Sequence, residues 1–147
     1  MISPALQRPP LVLVVDDQES LRTLIRMNLE LEGIDVVEAR DGAEGLVLVE
    51  QCRPDLVTLD QVMPRMDGLT AAAALRADPR TANLPIVMVT TSTAPAHLSR
   101  ARSLGVDAYV SKPFEPDELV STIRELLSLR CAHRGPSAEG AADTLNR

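Results

Sequence analysis

Five side chains capable of phosphoryl chemistry follow apolar runs of the sequence: Asp16, Asp17, Asp60, Thr90 and Lys112. Carboxylates held close together repel one another and raise one another's pKa values, so positive charge must keep them ionised. Lys112 supplies one such charge, and a hard divalent cation such as Mg²⁺ suits carboxylate oxygens. This set of groups fits phosphoryl transfer, in which a carboxylate attacks while cations offset the charge on the phosphoryl oxygens.

Lys112 is the one lysine of the chain; the other basic residues in a Lys+Arg total of 15 are arginines. It lies in YVSKPF (109–114), which also holds the single Tyr and the single Phe. An ammonium is a compact point charge, whereas the planar guanidinium of arginine is larger and less able to enter a small site. We therefore interpret Lys112 as a residue chosen for its shape as well as its charge.

The elements that must position these residues alternate along the chain. Apolar runs typical of buried strands alternate with segments of helical periodicity; the strand-like runs are 11–15, 34–39, 55–60, 84–90 and 107–111, and the helical segments are 21–33, 42–52, 68–78, 94–105 and 116–130. Five such pairs predict an α/β fold of the (βα)5 type, a doubly wound five-stranded parallel sheet with helices on both faces. In such sheets ligands bind outside the carboxyl ends of the strands, where the five candidate residues fall.

The length of 147 residues fits one domain with a substantial core. We predict an N-terminal extension over 1–9, the folded domain over 10–130, and a flexible tail or the start of a linker over 131–147. The last segment loses the apolar period and contains the small, polar stretch GPSAEGAAD (135–143).

Composition argues against several functional classes. The net charge of -6 argues against nucleic-acid binding by this domain, because neutralising phosphates needs a basic face. No apolar run approaches the roughly 18 residues of a membrane span, and the N-terminus lacks the apolar region of a signal peptide. Cys52 and Cys131 have no metal or redox spacing, which predicts a reducing, cytoplasmic location. His97 and His133 have no partner at catalytic spacing and receive no role.

Four motifs in this order and spacing, VVDDQES, LDQVMPRMDG, VMVTTS and YVSKPF, resemble the receiver domain of bacterial two-component response regulators. The resemblance covers about residues 10–130. It implies the flavodoxin-like strand order 2-1-3-4-5. It also implies a signalling domain rather than an enzyme, with Mg²⁺-dependent self-phosphorylation and self-dephosphorylation as its chemistry.

The resemblance implies a role for each site residue. Asp60 would be the phosphoacceptor, receiving the phosphoryl group from the phosphohistidine of a sensor histidine kinase or phosphotransfer protein. Asp16 and Asp17 would bind Mg²⁺ together with Asp60 and the backbone carbonyl of Val62, with Asp17 the more direct ligand of the first two. Lys112 would pair with Asp60 and then with its phosphoryl group, and its bond to Pro113 would be cis.

The resemblance further implies a switch. Thr90 would be drawn to the new phosphoryl oxygens, and Tyr109 would turn inward as the Thr90 loop moves. The signal would be read from the face made by the fourth helix, the last strand and the last helix. The output partner is unknown, or is an effector domain missing from this sequence, and phosphorylation-dependent homodimers are compatible with such a face. The first helix would set the choice of kinase.

Three alternatives belong to other classes. A receiver-shaped interaction module that is never phosphorylated stays open. A phosphatase of the haloacid dehalogenase type needs a second Asp two residues after its nucleophile, where this chain has Val62. A flavodoxin-like electron carrier on the same topology commonly stacks its flavin between aromatic rings, whereas this chain has no Trp and one Tyr.

Overall fold

Five strands alternate with five helices in the computed structural model, which describes residues 8–133. The strands are β1 (Leu11–Val15), β2 (Asp35–Ala39), β3 (Leu56–Leu59), β4 (Ile86–Thr90) and β5 (Ala108–Ser111). The helices are α1 (Glu19–Glu30), α2 (Gly42–Cys52), α3 (Gly68–Ala77), α4 (Pro95–Ser103) and α5 (Pro116–His133). The alternation predicted from the apolar runs is confirmed.

All strand pairs are parallel, and the order across the sheet is β2-β1-β3-β4-β5. This is the predicted order 2-1-3-4-5. The register places Val15 beside Leu59 and Leu59 beside Met88, so β1, β3 and β4 end at nearly the same level. Every residue of β3 and β4 is buried, as expected for central strands covered by helices on both faces.

The core has two layers because alternate strand residues point to opposite faces of the sheet. On one face Leu13, Val15 and Leu59 pack with residues of α2, α3 and α4. On the other face Val12 and Val14 pack with residues of α1 and α5. The helices thus fix the sheet from both sides and leave the carboxyl ends of its strands open for loops.

The end of the last helix differs from the prediction. We expected the last helix to end at residue 130, but α5 continues to His133. The apolar period fades there, yet the sequence places no Gly or Pro before Gly135 and Pro136 to stop a helix. The first three residues of the predicted tail are therefore helical, and residues 134–147 lie outside the described residues, as do residues 1–7 of the predicted N-terminal extension. Within residues 8–133, no helix has the length and apolar character needed to span a bilayer.

Arg76 joins the segments that precede β4 and β5 at the amino edge of the sheet, the edge opposite the candidate residues. It lies near the end of α3, its side chain is 17% exposed, and its guanidinium donates to four backbone carbonyls and one carboxylate. The acceptors precede β4 and β5 and are Ala82, Leu84, Leu104, Gly105 and Asp107. This one side chain therefore fixes the entry of both strands.

Candidate functional site

Three carboxylates meet at the carboxyl edge of the sheet. The backbone N–H of Asp60 donates to Val15 O at 3.1 Å, which carries the β1–β3 pairing one step further and sets Asp60 beside Asp16. Asp16 and Asp60 are 2% and 6% exposed, whereas Asp17 is exposed to solvent. Oxygen atoms of the three carboxylates lie within 4.8 Å of one another. The convergence expected from the strand ends is present.

Lys112 bridges two of these carboxylates. Its Nζ donates to Asp16 Oδ2 at 2.8 Å and to Asp60 Oδ2 at 3.2 Å, and its side chain is 12% exposed. Its backbone N–H donates to Thr90 O at 3.0 Å, which anchors it to β4, and the Lys112–Pro113 bond is cis. Burial raises the pKa of the Asp16 carboxyl, and the hydrogen bond from Lys112 acts in the opposite direction. The single ammonium thus compensates part of a buried negative cluster.

The acidic groups fit a hard divalent cation. Asp16, Asp17 and Asp60 offer carboxylate oxygens, which Mg²⁺ prefers, and the exposure of Asp17 leaves one side open to the waters that this ion retains. The chain passes close to the site again at Val62, whose N–H points to Asp60 Oδ1 at 3.4 Å. Val62 is 63% exposed, whereas the next residue, Met63, is buried in the core.

A buried arginine that our sequence analysis missed supports Asp16. Arg22 is 8% exposed, its Nη1 donates to the Asp16 carbonyl at 2.7 Å, and its Nε donates to Glu38 on β2 at 2.9 Å. Arg26 pairs with the other carboxylate oxygen of Glu38. Arg22 lies three residues before buried Ile25, so its place on the buried stripe of α1 was a readable signal.

The residue after the phosphoacceptor candidate fixes the start of α3. The first four N–H groups of a helix lack intrahelical partners. Here Gln61 accepts from two of them, through its backbone O from Gly68 N and through its side-chain Oε1 from Leu69 N, and the side chain of the N-cap residue Asp67 accepts from Thr70 N. A Cβ on Gly68 would lie 2.2 Å from Asp60 O, so only glycine allows this contact. The α3 start is therefore packed directly against the Asp60 backbone.

The predicted switch residues are connected through Ser92 in the β4–α4 loop. Thr90 is fully buried and its Oγ1 accepts from Ser92 N at 3.2 Å. The Tyr109 hydroxyl donates to Ser92 O at 2.6 Å, and burial raises the pKa of that hydroxyl, which keeps it protonated. Ser92 Oγ also pairs with His97 Nδ1. His97, which received no role from the sequence, thus has a polar partner at the start of α4.

The sequence matches the family model of the response regulator receiver domain over residues 12–124. Among curated proteins it is 37% identical to the DNA-binding dual master transcriptional regulator RpaA of Synechocystis over 138 residues, which are 94% of this chain and 56% of that protein. It is 41% identical to the DNA-binding response regulator MtrA of Mycolicibacterium smegmatis over 116 residues, 79% of this chain and 50% of that protein. The chain spans about half the length of these relatives.

Solved structures give the same result for the fold. The chemotaxis protein CheY4 of Vibrio cholerae is similar with a TM-score of 0.76 and 32% identity, covering 80% of this chain and 98% of that one. A CheY-like receiver domain protein from Methanospirillum hungatei has a TM-score of 0.79 and 27% identity, covering 83% of this chain and 96% of that one.

Proposed function

Because this chain belongs to the receiver domain family of two-component response regulators, we propose that it is a phosphorylation-dependent switch whose phosphoacceptor is Asp60. One observation carries the choice of residue. Both oxygens of Asp16 accept short hydrogen bonds, from Lys112 Nζ at 2.8 Å and Gln18 N at 2.9 Å. Asp60, in contrast, has Lys112 on Oδ2 at 3.2 Å and only a long 3.4 Å approach of Val62 N to Oδ1, so an oxygen of Asp60 is the more available for attack. Its contact with the Lys112 ammonium holds the carboxylate in place for attack.

The transfer would run from a phosphohistidine to Asp60. A carboxylate oxygen of Asp60 attacks phosphorus, the new P–O bond forms, the P–N bond breaks, and the imidazole leaves. Lys112, at 3.2 Å from Asp60 Oδ2, would then pair with a phosphoryl oxygen as well as with Asp16. The kinase or phosphotransfer protein supplies the group, so this domain contributes positioning and charge rather than turnover of a substrate.

We assign the divalent cation to Asp16, Asp17 and Asp60, with the Val62 carbonyl as a further ligand. A bound Mg²⁺ would offset the negative charge that builds up on the phosphoryl oxygens during transfer. The exposed position of Asp17 suits the most direct contact with the ion, since Asp16 is already bonded to Lys112 and to Gln18 N. Arg22 would keep the Asp16 backbone in place for both roles.

Intact-mass measurement after incubation with acetyl phosphate and Mg²⁺ tests the phosphoacceptor. We expect one phosphoryl adduct on the wild type, none when EDTA replaces Mg²⁺, and none on Asp60→Ala. An adduct of equal yield on Asp60→Ala would contradict the assignment. Absence of any adduct on the wild type, together with unchanged amide resonances on addition of beryllofluoride, would favour the unregulated interaction module.

We propose that Thr90 and Tyr109 transmit the change to the face made by α4, β5 and α5. Two observations support this. Ser92 connects both side chains to one short loop, and of the nine residues in α4 only Ala101 is buried, so little packing holds this helix in one position. With beryllofluoride, Thr90→Ala should leave α4 resonances close to their resting positions, whereas wild-type resonances should shift. Equal α4 shifts in the two proteins would remove Thr90 from the switch.

Two surfaces of the domain are candidate docking sites for its partners. Leu24, Met27 and Leu31 are 41%, 57% and 82% exposed on or next to α1 and share one face at helical spacing. We propose this face as the docking site of the sensor histidine kinase. The output partner, an effector domain or a second protein, would contact the α4, β5 and α5 face, where phosphorylation-dependent homodimers could also form. The relatives are described as DNA-binding, but the net charge of -6 argues that any such activity belongs outside this domain.

A further inference from the structure

Two arginines have a backbone conformation that favours glycine. Within residues 8–133, the non-glycine residues with positive φ are Arg53 at 54° and Arg65 at 69°. L side chains are disfavoured there because Cβ crowds the following carbonyl. Arg53 ends α2 at the amino edge of the sheet, whereas Arg65 lies in the loop between Asp60 and α3. Such a conformation persists at a non-glycine residue only where the surrounding structure holds it. Arg53 has the left-handed conformation of a helix C-cap, whereas Arg65 is in a loop and its side chain makes strong contacts.

Arg65 makes these contacts with Asp41, the N-cap residue of α2. Its Nε and Nη2 donate to Asp41 Oδ2 at 3.1 and 2.6 Å. Asp41 is 3% exposed, and its other oxygen accepts from Glu44 N at 2.8 Å. The hydrogen bond from Glu44 N and the Arg65 guanidinium lower the pKa of the Asp41 carboxyl, so the pair is ionised at neutral pH.

The loop and the start of α2 are also in backbone contact. A Cβ on Gly42 would lie 2.9 Å from Met66 O, so the two segments touch where Asp41 and Arg65 meet. Between Gln61 and Asp67 the sequence is VMPRM, and Arg65 is its one polar side chain. Met63 is buried in the core and Met66 packs against it, whereas Val62 and Pro64 are exposed. Arg65 is therefore the side chain that can fasten the middle of this loop by hydrogen bonds.

We propose that the Arg65–Asp41 pair is a latch that holds the 61–67 loop in the conformation that presents the Val62 carbonyl to a divalent cation. Arg65 is then a positioning residue, and this inference rests on the proposed metal site. Gln61 fixes the start of the loop against α3, and Arg65 fixes its middle against α2. Without the latch, the Val62 backbone samples more conformations, and the cation must select the competent one at a loss of affinity.

A direct test measures Mg²⁺ affinity from amide resonances of the full chain, since it has no Trp to serve as a fluorescent reporter. Arg65→Asn keeps a side chain that tolerates positive φ but is too short to reach Asp41. Asp41→Asn keeps an oxygen for Glu44 N while removing the charge that Arg65 needs. Arg53→Asn is the matched control, because it makes the same substitution in the same backbone conformation at the opposite edge of the sheet.

We expect Arg65→Asn and Asp41→Asn each to weaken Mg²⁺ binding on the order of tenfold, the lower end of the effect of contacts that orient ligands. The double variant should lose little more than either single one, because both remove the same pair. Arg53→Asn should bind Mg²⁺ as the wild type does. All four proteins should keep dispersed amide spectra, which separates loss of affinity from unfolding.

Three results would overturn the latch in different ways. If Arg65→Asn and Asp41→Asn both bind Mg²⁺ with the affinity of the wild type, the latch is overturned, but the assignment of the phosphoacceptor is not affected. A wild type whose resonances do not respond to Mg²⁺ would overturn the latch together with the proposed metal site. Equal weakening in Arg53→Asn would also overturn it, since the effect would then belong to any change at a positive-φ arginine.

Discussion

Two cations sit at opposite edges of the same sheet and are used in different ways. At the amino edge, the Arg76 guanidinium meets five acceptors, four of them backbone carbonyls that cannot change their charge. At the carboxyl edge, the Lys112 ammonium meets two carboxylates, both of which belong to the proposed reacting and metal-binding set. Arg76 therefore stabilises the fold by joining the segments that precede β4 and β5. Lys112 instead positions two carboxylates of the proposed site.

The difference shows how one small domain separates stability from chemistry. A guanidinium with several fixed donors suits carbonyls that never rearrange, and a compact ammonium suits partners that are to be exchanged. The carboxyl edge accepts a net excess of buried negative charge that the amino edge avoids. That excess suits a divalent cation, which together with Lys112 would offset the charge of an incoming phosphoryl group. The site is therefore expected to add less to folding than its number of polar contacts suggests.

The largest effect should come from the amino edge. Arg76→Met keeps the length of the side chain but removes all its hydrogen-bond donors. The carbonyls that precede β4 and β5 then lose the guanidinium hydrogen bonds. We expect a loss of about 3 kcal/mol in the free energy of unfolding, measured with urea. Phosphorylation by acetyl phosphate should persist in the folded fraction. A loss below about 1 kcal/mol would mean that water replaces the guanidinium and that the two edges differ less than we infer.

Lys112→Met should have a smaller effect on folding and a much larger one on chemistry. Asp16 and Asp60 lose their common cation, but the open side near Asp17 admits water to solvate them, so we expect a loss of about 2 kcal/mol. Phosphorylation should fall below detection in the mass measurement. Arg at this position restores the charge without the shape, so Lys112→Arg should recover stability more than phosphorylation. Full phosphorylation of Lys112→Arg would contradict the importance of the compact ammonium.

The stabilisation of the folded state by Mg²⁺ should depend on residues of the carboxyl edge and not on those of the amino edge. At a free concentration of about ten times its dissociation constant, a ligand that binds only the folded state adds about 1.4 kcal/mol to the free energy of unfolding. We expect this gain in the wild type and in Arg76→Met, and its loss in Asp17→Asn. Thermal unfolding with and without Mg²⁺ measures it. A gain that survives in Asp17→Asn would move the cation away from the assigned carboxylates.

The smallest effect is a pH dependence due to Asp41. Its folded pKa lies below the ordinary value of about 3.9, so it stabilises the fold above that pH and the stabilisation is lost as pH falls through the folded pKa. Asp41→Asn should therefore cost about 0.5 kcal/mol at pH 7 and nothing at the lowest pH that keeps the protein folded. Urea unfolding over this pH range measures the difference between the two proteins. A difference that does not shrink with falling pH would show that the carboxylate charge is not involved.

The sequence was sufficient for the fold and for the convergence of the site. Asp16, Asp60 and Lys112 come directly after apolar runs, and parallel strands bring such positions to one edge without any knowledge of side-chain geometry. Contacts that depend on loop conformation could not be predicted from the sequence. Arg65 and Asp41 are 24 residues apart, and their pairing requires a left-handed residue that no periodic pattern reveals. The burial of Arg22 could have been predicted from the sequence, because it occupies a position of α1 where an apolar residue is expected.

The assignment of Asp60 can be tested most directly by locating the phosphoryl group itself. Borohydride reduces an acyl phosphate on an aspartate to homoserine, so treatment of the acetyl phosphate-modified chain followed by peptide mass mapping identifies the modified residue. We predict homoserine at position 60, in the peptide that spans VMPRM, with Asp16 and Asp17 unmodified. Homoserine at position 16 or 17, or a phosphoryl adduct that survives borohydride unchanged, would contradict the proposed phosphoacceptor.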